Sequence, residues 1–436
     1  MAGESWTGVC VHCAEILANV PSQILLAAVA ATLLGFFVLF YVILYIVAPI
    51  PREPLPEEQT YRTLAKDGSI TEPEQLPCWQ DALGKTSGRK PAHADMEPPE
   101  VFMSLVVPAY NEEDRLGGML EEAVNYLERM YGTLAASATE SASANGSTKR
   151  TTRSATRQRK PAENGHAMNG HAMNGHAMNG HAANGAVSAS ADKGWEIIIV
   201  SDGSQDKTEE MAFSFARDHQ LSLHPKGYAG PWTPGTQEGV HIPPGTIRVV
   251  TLAQNRGKGG AVTHGMRHVR GQYVVFADAD GASNFEDLGK LVTACRAIED
   301  PAGRGLAVGS RAHMVGSEAV VKRSKIRNFL MHSFHLILWL MTPPKTATVQ
   351  DTQCGFKLFT RSSLPYIIPY MHSEGWIFDV EMLMLAEFAR IPVAEVPVGW
   401  REVGGSKLNV LRDSIGMAWG LAVLRAAWSL GIYRLN

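Results

Sequence analysis

The sequence lacks an excess of charge of either sign, because 40 lysines and arginines are offset by 43 aspartates and glutamates in 436 residues. Binding to a nucleic-acid backbone requires a basic excess, so this balance argues against nucleic acid as a partner. Cysteine is also scarce, at five residues in the whole chain. That number excludes a disulfide framework. Cys10 and Cys13 form a lone C-x-x-C without the second pair or the two histidines that would complete a zinc site.

Basic residues are absent from the first 23 positions, which is atypical of a cleaved signal peptide. Residues 24–50 then carry no charge and are dominated by Leu, Ile, Val, Phe and Ala. As a helix this run would extend roughly 40 Å, enough to cross a hydrocarbon core of about 30 Å. The sequence therefore predicts a single transmembrane anchor over residues 24–50, with a signal peptide or a buried helix as the alternatives.

The charges that follow the apolar run predict its orientation. Arg52, Arg62 and Lys66 lie just after it, whereas residues 1–23 contain no lysine or arginine. The positive-inside rule therefore places residues 1–23 in the lumen, as a short N-terminus, and everything after residue 50 in the cytosol.

Composition divides the rest of the chain. Residues 51–99 are rich in Pro, Glu and Asp and predict a linker, and residues 100–410 form the candidate catalytic domain. Within that domain, residues 133–194 carry tandem Asn-Gly-His-Ala-Met units and predict a disordered low-complexity insertion, with metal binding by its histidines as the alternative. Residues 411–436 are apolar but interrupted by Arg425, which predicts an amphipathic helix at a membrane interface.

A second segment with interfacial character lies inside the domain. Residues 329–341 are apolar and include Trp339, and four basic residues precede them: Lys322, Arg323, Lys325 and Arg327. Basic residues beside Leu, Phe and Trp favour a helix at an anionic lipid surface. A buried core helix is the alternative.

Short apolar runs alternate with helix-like stretches through the domain. The runs are typical of buried parallel strands and comprise Phe102–Val107, Glu196–Val200, Arg248–Leu252, Tyr273–Ala277 and Leu306–Gly309. The helix-like stretches comprise Glu113–Met130, Thr208–Asp218, Ala261–Val269 and Phe285–Ile298. This alternation predicts an α/β fold with a mostly parallel sheet and helices on both faces.

Three of the predicted strands run directly into polar motifs. They are Pro108-Ala109-Tyr110-Asn111-Glu112, Ser201-Asp202-Gly203-Ser204 and Asp278-Ala279-Asp280. Ordinary turns use the same residue types, but ligands of open α/β sheets bind beyond the carboxyl ends of the strands. The three motifs together therefore predict one binding crevice.

Asp278 and Asp280 are two positions apart, so both side chains can point to the same side of an extended chain. Carboxylates combined with diphosphate oxygens suit Mg²⁺ or Mn²⁺, which take oxygen ligands and retain waters. The acidic pair therefore predicts a divalent metal that neutralises charge on a departing nucleoside diphosphate.

From about residue 101 to residue 407, interrupted by the insertion, the order of motifs resembles that of inverting family-two glycosyltransferases. Within that family, three motifs are most similar to those of dolichyl-phosphate β-glucosyltransferases. They are Asp278-Ala279-Asp280-Gly281-Ala282, Gln350-Asp351-Thr352-Gln353-Cys354-Gly355-Phe356-Lys357 and Glu374-Gly375-Trp376-Ile377-Phe378-Asp379. The resemblance implies a GT-A, Rossmann-like catalytic domain.

The resemblance also implies roles on the nucleotide side. Pro108, Tyr110 and Glu112 would shape the nucleoside pocket, with Glu112 reaching the ribose, and Asp202 would contact the uracil edge. Asp280 would be the direct metal ligand. A further set of residues is implied near the donor or its phosphates: Asp278 (at ribose or metal), Lys258, Arg311, Arg401, Ser406 and Lys407.

Three of these implied roles have alternatives. Lys258 lies in Arg256-Gly257-Lys258-Gly259-Gly260, which also suits a strand-to-helix turn with a solvated lysine. The late group at residues 401–407 also suits a solvated charged surface. Asp351 is implied near the acceptor as a general base, but it would equally orient the acceptor or a basic neighbour, or cap a helix.

The implied reaction transfers glucose from UDP-glucose to dolichyl phosphate with inversion, at the endoplasmic reticulum membrane. Its product would donate glucose to lumenal N-glycan precursors. One alternative is a mannosyltransferase of the same family that uses GDP-mannose, and another is a non-catalytic membrane scaffold that kept the fold. The sequence leaves the oligomeric state open, a homo-oligomer included.

Overall fold

The computed structural model describes residues 20–84, 96–132, 193–314, 337–405 and 410–435. Its strands are β1 (Thr60–Tyr61), β2 (Glu74–Gln75), β3 (Val101–Ala109), β4 (Trp195–Ser201), β5 (Ile247–Thr251), β6 (Gly271–Ala277), β7 (Leu306–Ser310), β8 (Phe356–Thr360) and β9 (Val393–Pro397). Its helices are α1 (Ser22–Val47), α2 (Trp79–Gly84), α3 (Leu116–Tyr131), α4 (Thr208–Leu221), α5 (Gly257–Met266), α6 (Leu288–Ile298), α7 (Pro344–Thr348), α8 (Phe378–Phe388) and α9 (Val410–Ser429).

Seven strands form one sheet in the order β5-β4-β3-β6-β8-β7-β9. All of its strand pairs are parallel except the two made by β8, which runs against β6 and β7. The runs expected to be strands form β3 to β7, so the predicted mostly parallel sheet is confirmed. The sequence did not indicate β8, which lies between β6 and β7, or β9, which pairs with β7 at the edge of the sheet.

Helices cover both faces of this sheet, as predicted. The alternation of side chains along β3 shows how: Leu105 and Val107 belong to the core under α3, α4 and α6, whereas Val106 belongs to the core under α5 and α8. A strand buried on both faces needs apolar residues at nearly every position, which explains the continuous apolar runs in the sequence.

The segment from residue 51 to residue 84 differs from the linker that its composition predicts. Arg62 exchanges two backbone hydrogen bonds of 2.9 Å with Val249 at the edge of β5, and the Thr63 hydroxyl donates to the Ile247 carbonyl at 2.6 Å. Leu64 and Trp79 are buried in the two cores of the sheet. The segment covers an edge strand whose backbone groups would otherwise be unpaired, and this pairing leaves no periodic signal in the sequence.

A third apolar cluster joins the end of α1 to α8 and α9. Leu44 of α1 and Ala48 just after it pack in one cluster with Val380 of α8 and Leu421 and Leu424 of α9. Helix α1 is long and apolar enough to cross a membrane, and its most apolar stretch makes no buried contact within the described residues. The described structure therefore contains the apolar helix predicted at residues 24–50.

Several predictions fall on residues outside the described ranges. These are the lumenal residues before position 20, the insertion from 133 to 192, the basic residues preceding the 329–341 run, and Ser406 and Lys407. Of the 329–341 run, residues 337–341 are described and are helical, with Trp339 and Leu340 exposed.

Candidate active site

The acidic pair follows β6 and is held in place by the turn before β8. The Asp278 backbone N donates to the Gly355 carbonyl at 3.2 Å, and the Asp278 carboxylate lies directly over the Gly355 α-carbon. A Cβ at position 355 would lie 2.1 Å from Asp278 Oδ2, far inside van der Waals contact. Gly355 therefore makes room for Asp278, a role that the sequence analysis did not predict.

Asp280 lies two residues further on, and its Oδ1 accepts a hydrogen bond of 3.0 Å from the Ala282 backbone N. Arg115, which directly precedes α3, places Nη1 at 3.9 Å from Asp280 Oδ2. Burial, followed by the charge of Asp278, raises the pKa of Asp280 above its ordinary value. Two carboxylates that repel each other in a half-buried site form a donor set for a hard divalent cation.

Lys258 is not the solvated lysine of a simple turn, because its Nζ lies 2.5 Å from Asp278 Oδ1. It also lies 6.0 Å from the ring centroids of both Trp376 and Phe378. Burial alone would lower the pKa of Lys258, but the charges of Asp278 and Asp379 outweigh this effect and raise it. The lysine is therefore a cation that lies beside the acidic pair.

The nucleoside residues predicted after β3 and β4 lie side by side. Asp202 is 3% exposed, its backbone N donates to the Ala109 carbonyl at 2.8 Å, and its Oδ1 accepts from the Arg256 backbone N at 2.6 Å. Burial raises the pKa of Asp202 to about 6, against the opposing effect of the backbone N–H groups of Arg256 and Gly257. A carboxylate in this position can accept a hydrogen bond from an imide N–H such as that of uracil.

The two loops that follow β3 and β4 are joined by hydrogen bonds. Asn111 has a positive φ of 54°, and its Oδ1 accepts from the Gln205 backbone N at 2.7 Å. Pro108 lies within β3 opposite Val200, and Tyr110 is 37% exposed at the end of the strand. The structure therefore brings Pro108 and Tyr110 to the same strand ends as Asp202.

Glu112, expected at the ribose, forms a bidentate ion pair with Arg115. Arg115 Nε and Nη2 donate to the two carboxylate oxygens of Glu112 at 2.7 and 2.6 Å, and Nη1 donates to the Gly404 carbonyl at 3.2 Å. Arg115 therefore connects the loop after β3 with Asp280 and with the loop after β9. Sequence reasoning missed this residue, although its position three residues after Glu112 was a usable signal.

Arg311, which directly follows β7, forms a second bidentate pair with Asp351. Arg311 Nε and Nη2 donate to Asp351 at 2.7 and 2.9 Å, and the Arg311 backbone N adds a bond of 2.9 Å. Burial alone would raise the pKa of Asp351, but its hydrogen bonds with Arg311 outweigh that effect and lower it. Asp351 lies in the turn between α7 and β8, where its carboxylate is paired with Arg311.

Arg401 is linked to the turn that follows the acidic pair, directly and through Trp232 of the loop between α4 and β5. Its guanidinium is 4.1 Å from the Trp232 ring centroid, and its backbone N donates to the Ala282 carbonyl at 2.9 Å. Trp232 in turn donates from Nε1 to the Gly281 carbonyl at 3.1 Å. A lone Trp in a Pro/Gly-rich loop was the available signal for this wall of the site.

The Trp232 loop is anchored on α3 by a buried carboxylate. Glu122 Oε1 accepts from the Trp232 backbone N at 2.7 Å. Burial raises the pKa of Glu122 to about 7, against the opposing effect of the backbone N–H groups of Trp232 and Thr233.

The predicted phosphate contacts of Ser406 and Lys407 lie outside the described residues.

The described residues contain no cluster of three or more His, Cys, Asp or Glu side chains that would enclose a metal. The protein thus offers the carboxylate pair Asp278 and Asp280, and a metal held there would complete its coordination with waters and substrate phosphates. Mg²⁺ is commonly bound in that way, by one or two carboxylates and a nucleotide. The donor set therefore fits Mg²⁺ or Mn²⁺ acting on a nucleoside diphosphate.

The chain matches known glycosyltransferases in sequence. The family model for glycosyl transferase family 2 matches residues 233–363. A solved structure of Mycobacterium tuberculosis glucosyl-3-phosphoglycerate synthase, in complex with Mn²⁺, UDP-glucose and phosphoglyceric acid, matches with a TM-score of 0.39 and 15% identity over 75% of this chain and 80% of that chain. The family-model match and the mostly parallel sheet described above together confirm the predicted GT-A fold class.

Two curated relatives are similar over most of their length. The dolichyl-phosphate β-glucosyltransferase of Saccharomyces cerevisiae is 36% identical over 93% of this chain and 94% of its own. The Homo sapiens protein of the same name is 32% identical over 78% of this chain and 80% of its own. The chain therefore belongs to the dolichyl-phosphate β-glucosyltransferase family of the family-two glycosyltransferases.

Proposed function

We propose that the protein transfers glucose from UDP-glucose to dolichyl phosphate with inversion, giving dolichyl β-D-glucosyl phosphate. The observation that carries the proposal is the acidic pair Asp278 and Asp280, held at the end of β6 against the cation of Lys258 and at the same edge of the sheet as the buried Asp202. The relatives named above carry the same activity in their names. The product would serve as a glucose donor for lumenal N-glycan precursor assembly.

On the donor side, Asp202 would accept the uracil N–H, and Pro108 and Tyr110 would form the wall of the nucleoside pocket. Asp278 and Asp280 would hold the metal, which when bound neutralises the negative charge on the departing diphosphate. Lys258 lies within reach of the same charge and acts as a point-charge contact for phosphate. Charge stabilisation of the leaving group would supply much of the rate enhancement.

On the acceptor side, an oxygen of the lipid phosphate would attack the anomeric carbon from the face opposite UDP. The bond from that carbon to the diphosphate oxygen breaks, and UDP leaves with the bonding electrons, so an α-linked donor gives a β-linked product. A phosphate monoester has a second pKa near 6, so much of the acceptor is already a dianion at neutral pH. Asp351 would therefore orient Arg311 toward the phosphate, and proton removal would contribute little.

The lipid would approach from the side of α1 and α9. Trp339, Leu340, Ile415 and Trp419 are exposed on two helical segments whose residues Leu338 and Leu421 belong to the cluster that contains the end of α1. We take these four side chains together as one apolar surface. The acceptor side adjoins α9 as well, because Gln353 Nε2 lies 2.9 Å from Met417 Sδ. We place α1 across the endoplasmic reticulum membrane as a single span, with the catalytic domain in the cytosol and this surface at the interface.

The test supplies purified full-length protein with dolichyl phosphate and either UDP-glucose or GDP-mannose, with and without EDTA. Formation of glucosyl lipid from UDP-glucose, abolished by EDTA and by Asp280→Asn, is the expected result. Mannosyl lipid alone would overturn the donor assignment. Inactivity of the wild-type protein with every sugar nucleotide would favour a non-catalytic scaffold.

A further inference from the structure

The chain that leaves the apolar helix runs directly to the back of the donor pocket. This strap, residues 51–59, ends in a short 3₁₀ helix at Pro56–Gln59. The Tyr433 hydroxyl, near the end of the chain, donates to the Pro49 carbonyl at 2.7 Å and fixes where the strap begins. Both ends of the strap are therefore anchored to the folded domain, since its last residue, Gln59, accepts a hydrogen bond of 2.8 Å from the Leu76 backbone N.

Glu58 is the fully buried centre of the strap, with 0% exposure. Its carboxylate accepts from Arg52 Nη1 at 2.8 Å, from the Leu55 backbone N at 2.9 Å and from the Ala253 backbone N at 2.9 Å. Burial alone would raise the pKa of Glu58, but these hydrogen bonds outweigh it and lower the pKa to about 2. Glu58 is therefore ionised at working pH and ties the strap to the loop after β5.

Arg256, at the other end of that loop, contacts the strap and the nucleoside pocket at once. Its Nη2 donates to the Arg52 carbonyl at 2.9 Å, and its Nε donates to Glu374 at 2.7 Å. Its backbone N donates to Asp202 Oδ1 at 2.6 Å. The loop from Ala253 to Arg256 is thus held by the strap on one side, and on the other it holds the carboxylate proposed to bind uracil.

We propose that Arg52 and Glu58 are positioning residues of the donor site, which set the loop from Ala253 to Arg256 so that Asp202 is aimed at the nucleoside. The inference rests on the proposed function, because it takes the donor to be a uridine nucleotide. It makes the first residues after the apolar helix a part of the enzyme's nucleotide pocket. The site would then be complete only when the apolar helix and the domain are correctly joined.

The test uses full-length protein in detergent and the variants Glu58→Gln, Arg52→Ala and Arg52→Lys. Arg62→Ala is the matched control, because Arg62 joins the same N-terminal segment to Glu209 of α4 through an ion pair of 2.6 Å and does not contact the loop after β5. For each protein the measurements are the Kd of UDP without acceptor, the KM values of UDP-glucose and dolichyl phosphate, kcat, and the melting temperature.

Loss of a charge-assisted hydrogen bond at Glu58 should raise the Kd of UDP and the KM of UDP-glucose about tenfold, with the KM of dolichyl phosphate unchanged. Arg52→Ala should show the same pattern more weakly, and Arg52→Lys should restore most of the UDP affinity. Arg62→Ala should change only the melting temperature.

If the wild-type protein transfers glucose and the variants at Glu58 and Arg52 bind UDP as tightly as it does, the positioning role is wrong and the proposed function stands. A fall in the melting temperature of these variants, as in Arg62→Ala, with unchanged UDP affinity would likewise show that Arg52 and Glu58 have a structural role only. If Glu58→Gln fails to fold, Arg52→Ala decides the outcome. Wild-type protein that binds no UDP would overturn the proposed function together with this inference.

Discussion

Two aspartate–cation pairs lie along the same edge of the sheet, and they are built differently. Lys258 contacts Asp278 through one nitrogen at 2.5 Å. Arg311 contacts Asp351 through Nε at 2.7 Å and through Nη2 and its backbone N at 2.9 Å. An ammonium is a compact point charge on a flexible stem, whereas a guanidinium is a planar fork with fixed geometry. We therefore expect the Lys258–Asp278 pair to exchange partners and the Arg311–Asp351 pair to keep its geometry.

This difference fits the proposed reaction, in which Asp278 and Lys258 act on the donor and Arg311 acts on the acceptor phosphate. Asp278 must accept a metal and leave Lys258 available for donor phosphate, so a single contact suits it. The acceptor side needs a phosphate placed in line with the breaking bond, and a rigid Arg311 serves that purpose. The two regions differ in the same sense, because the pKa of Asp280, the neighbour of Asp278, is raised by burial and by the charge of Asp278, whereas the pKa of Asp351 is lowered by Arg311.

The largest expected effect is at the acidic pair. Asp280→Asn should reduce glucosyl transfer by about a thousandfold, because the charge on the leaving diphosphate loses its metal. The same change removes a repulsion between two carboxylates, so the melting temperature should stay constant or rise. Steady-state kinetics and thermal unfolding measure the two results. If the variant keeps more than about a tenth of wild-type turnover, Asp280 does not hold a catalytic metal.

The fixed pair should respond in both activity and stability. Asp351→Asn leaves Arg311 without its bidentate partner, so the free energy of unfolding should fall by about 2 kcal/mol and turnover by about a hundredfold. Lys258→Met, at the exchangeable pair, should lower turnover with a smaller loss of stability. Denaturant titration and kinetics of both variants test the contrast.

The pH dependence of the Asp351→Asn variant separates orientation from base catalysis. Because the pKa of Asp351 is lowered, the residue is already ionised at neutral pH and the variant should keep the wild-type pH profile of kcat at a lower amplitude. Loss of the acidic limb of that profile would instead identify Asp351 as the general base, and its proposed role in orienting Arg311 would be wrong.

A smaller effect is expected from Gly355, which makes room for Asp278. Gly355→Ala would put a Cβ 2.1 Å from Asp278 Oδ2, so the carboxylate must move and turnover should fall about thirtyfold, with stability lower by about 2 kcal/mol. Gly416→Ala in α9 is the matched control, since a Cβ there meets no atom within 4 Å in the described structure. Equal effects of the two substitutions would contradict the proposed contact.

The sequence allowed the strand ends to be predicted because their signals are local. A buried strand of the sheet is a continuous apolar run, and the polar residues that follow it stand next to it in the chain, as Asp202 follows β4 and Asp278 follows β6. Parallel strands bring such ends to one edge of the sheet. The placement of the acidic pair at the same edge of the sheet as Asp202 thus followed from the local sequence pattern and a general rule of α/β folds.

The remaining parts of the site join residues that are distant in sequence, and no periodicity marks them. Trp232 reaches Gly281 across 49 positions, and Glu58 reaches Ala253 across 195 positions. The strap also lies in a segment whose Pro- and Glu-rich composition is that of a linker, although Glu58 is fully buried. Buried carboxylates with several backbone donors are a property of tertiary structure, which composition alone does not reveal.

The smallest expected effect is a pH dependence that contrasts the nucleoside side with the acidic pair. Burial raises the pKa of Asp202 to about 6, so acidification from pH 7 to pH 5 protonates it and should weaken UDP binding up to about tenfold. The folded pKa lies above the ordinary value of 3.8, so the stability that this group contributes is complete below pH 3.8 and is lost as the pH rises through 6. By this group alone, acidification therefore weakens UDP binding and stabilises the fold.

The measurement is UDP affinity at constant Mg²⁺ from pH 5 to pH 8, in parallel with Asp202→Asn. UDP titrates identically in both experiments, so the difference between the two curves reports Asp202. The variant should bind with an affinity that varies less with pH, because its amide oxygen still accepts from Arg256 but carries no charge to lose. Parallel curves for the two proteins would show that Asp202 does not titrate in this range, and the uracil contact would then need another acceptor.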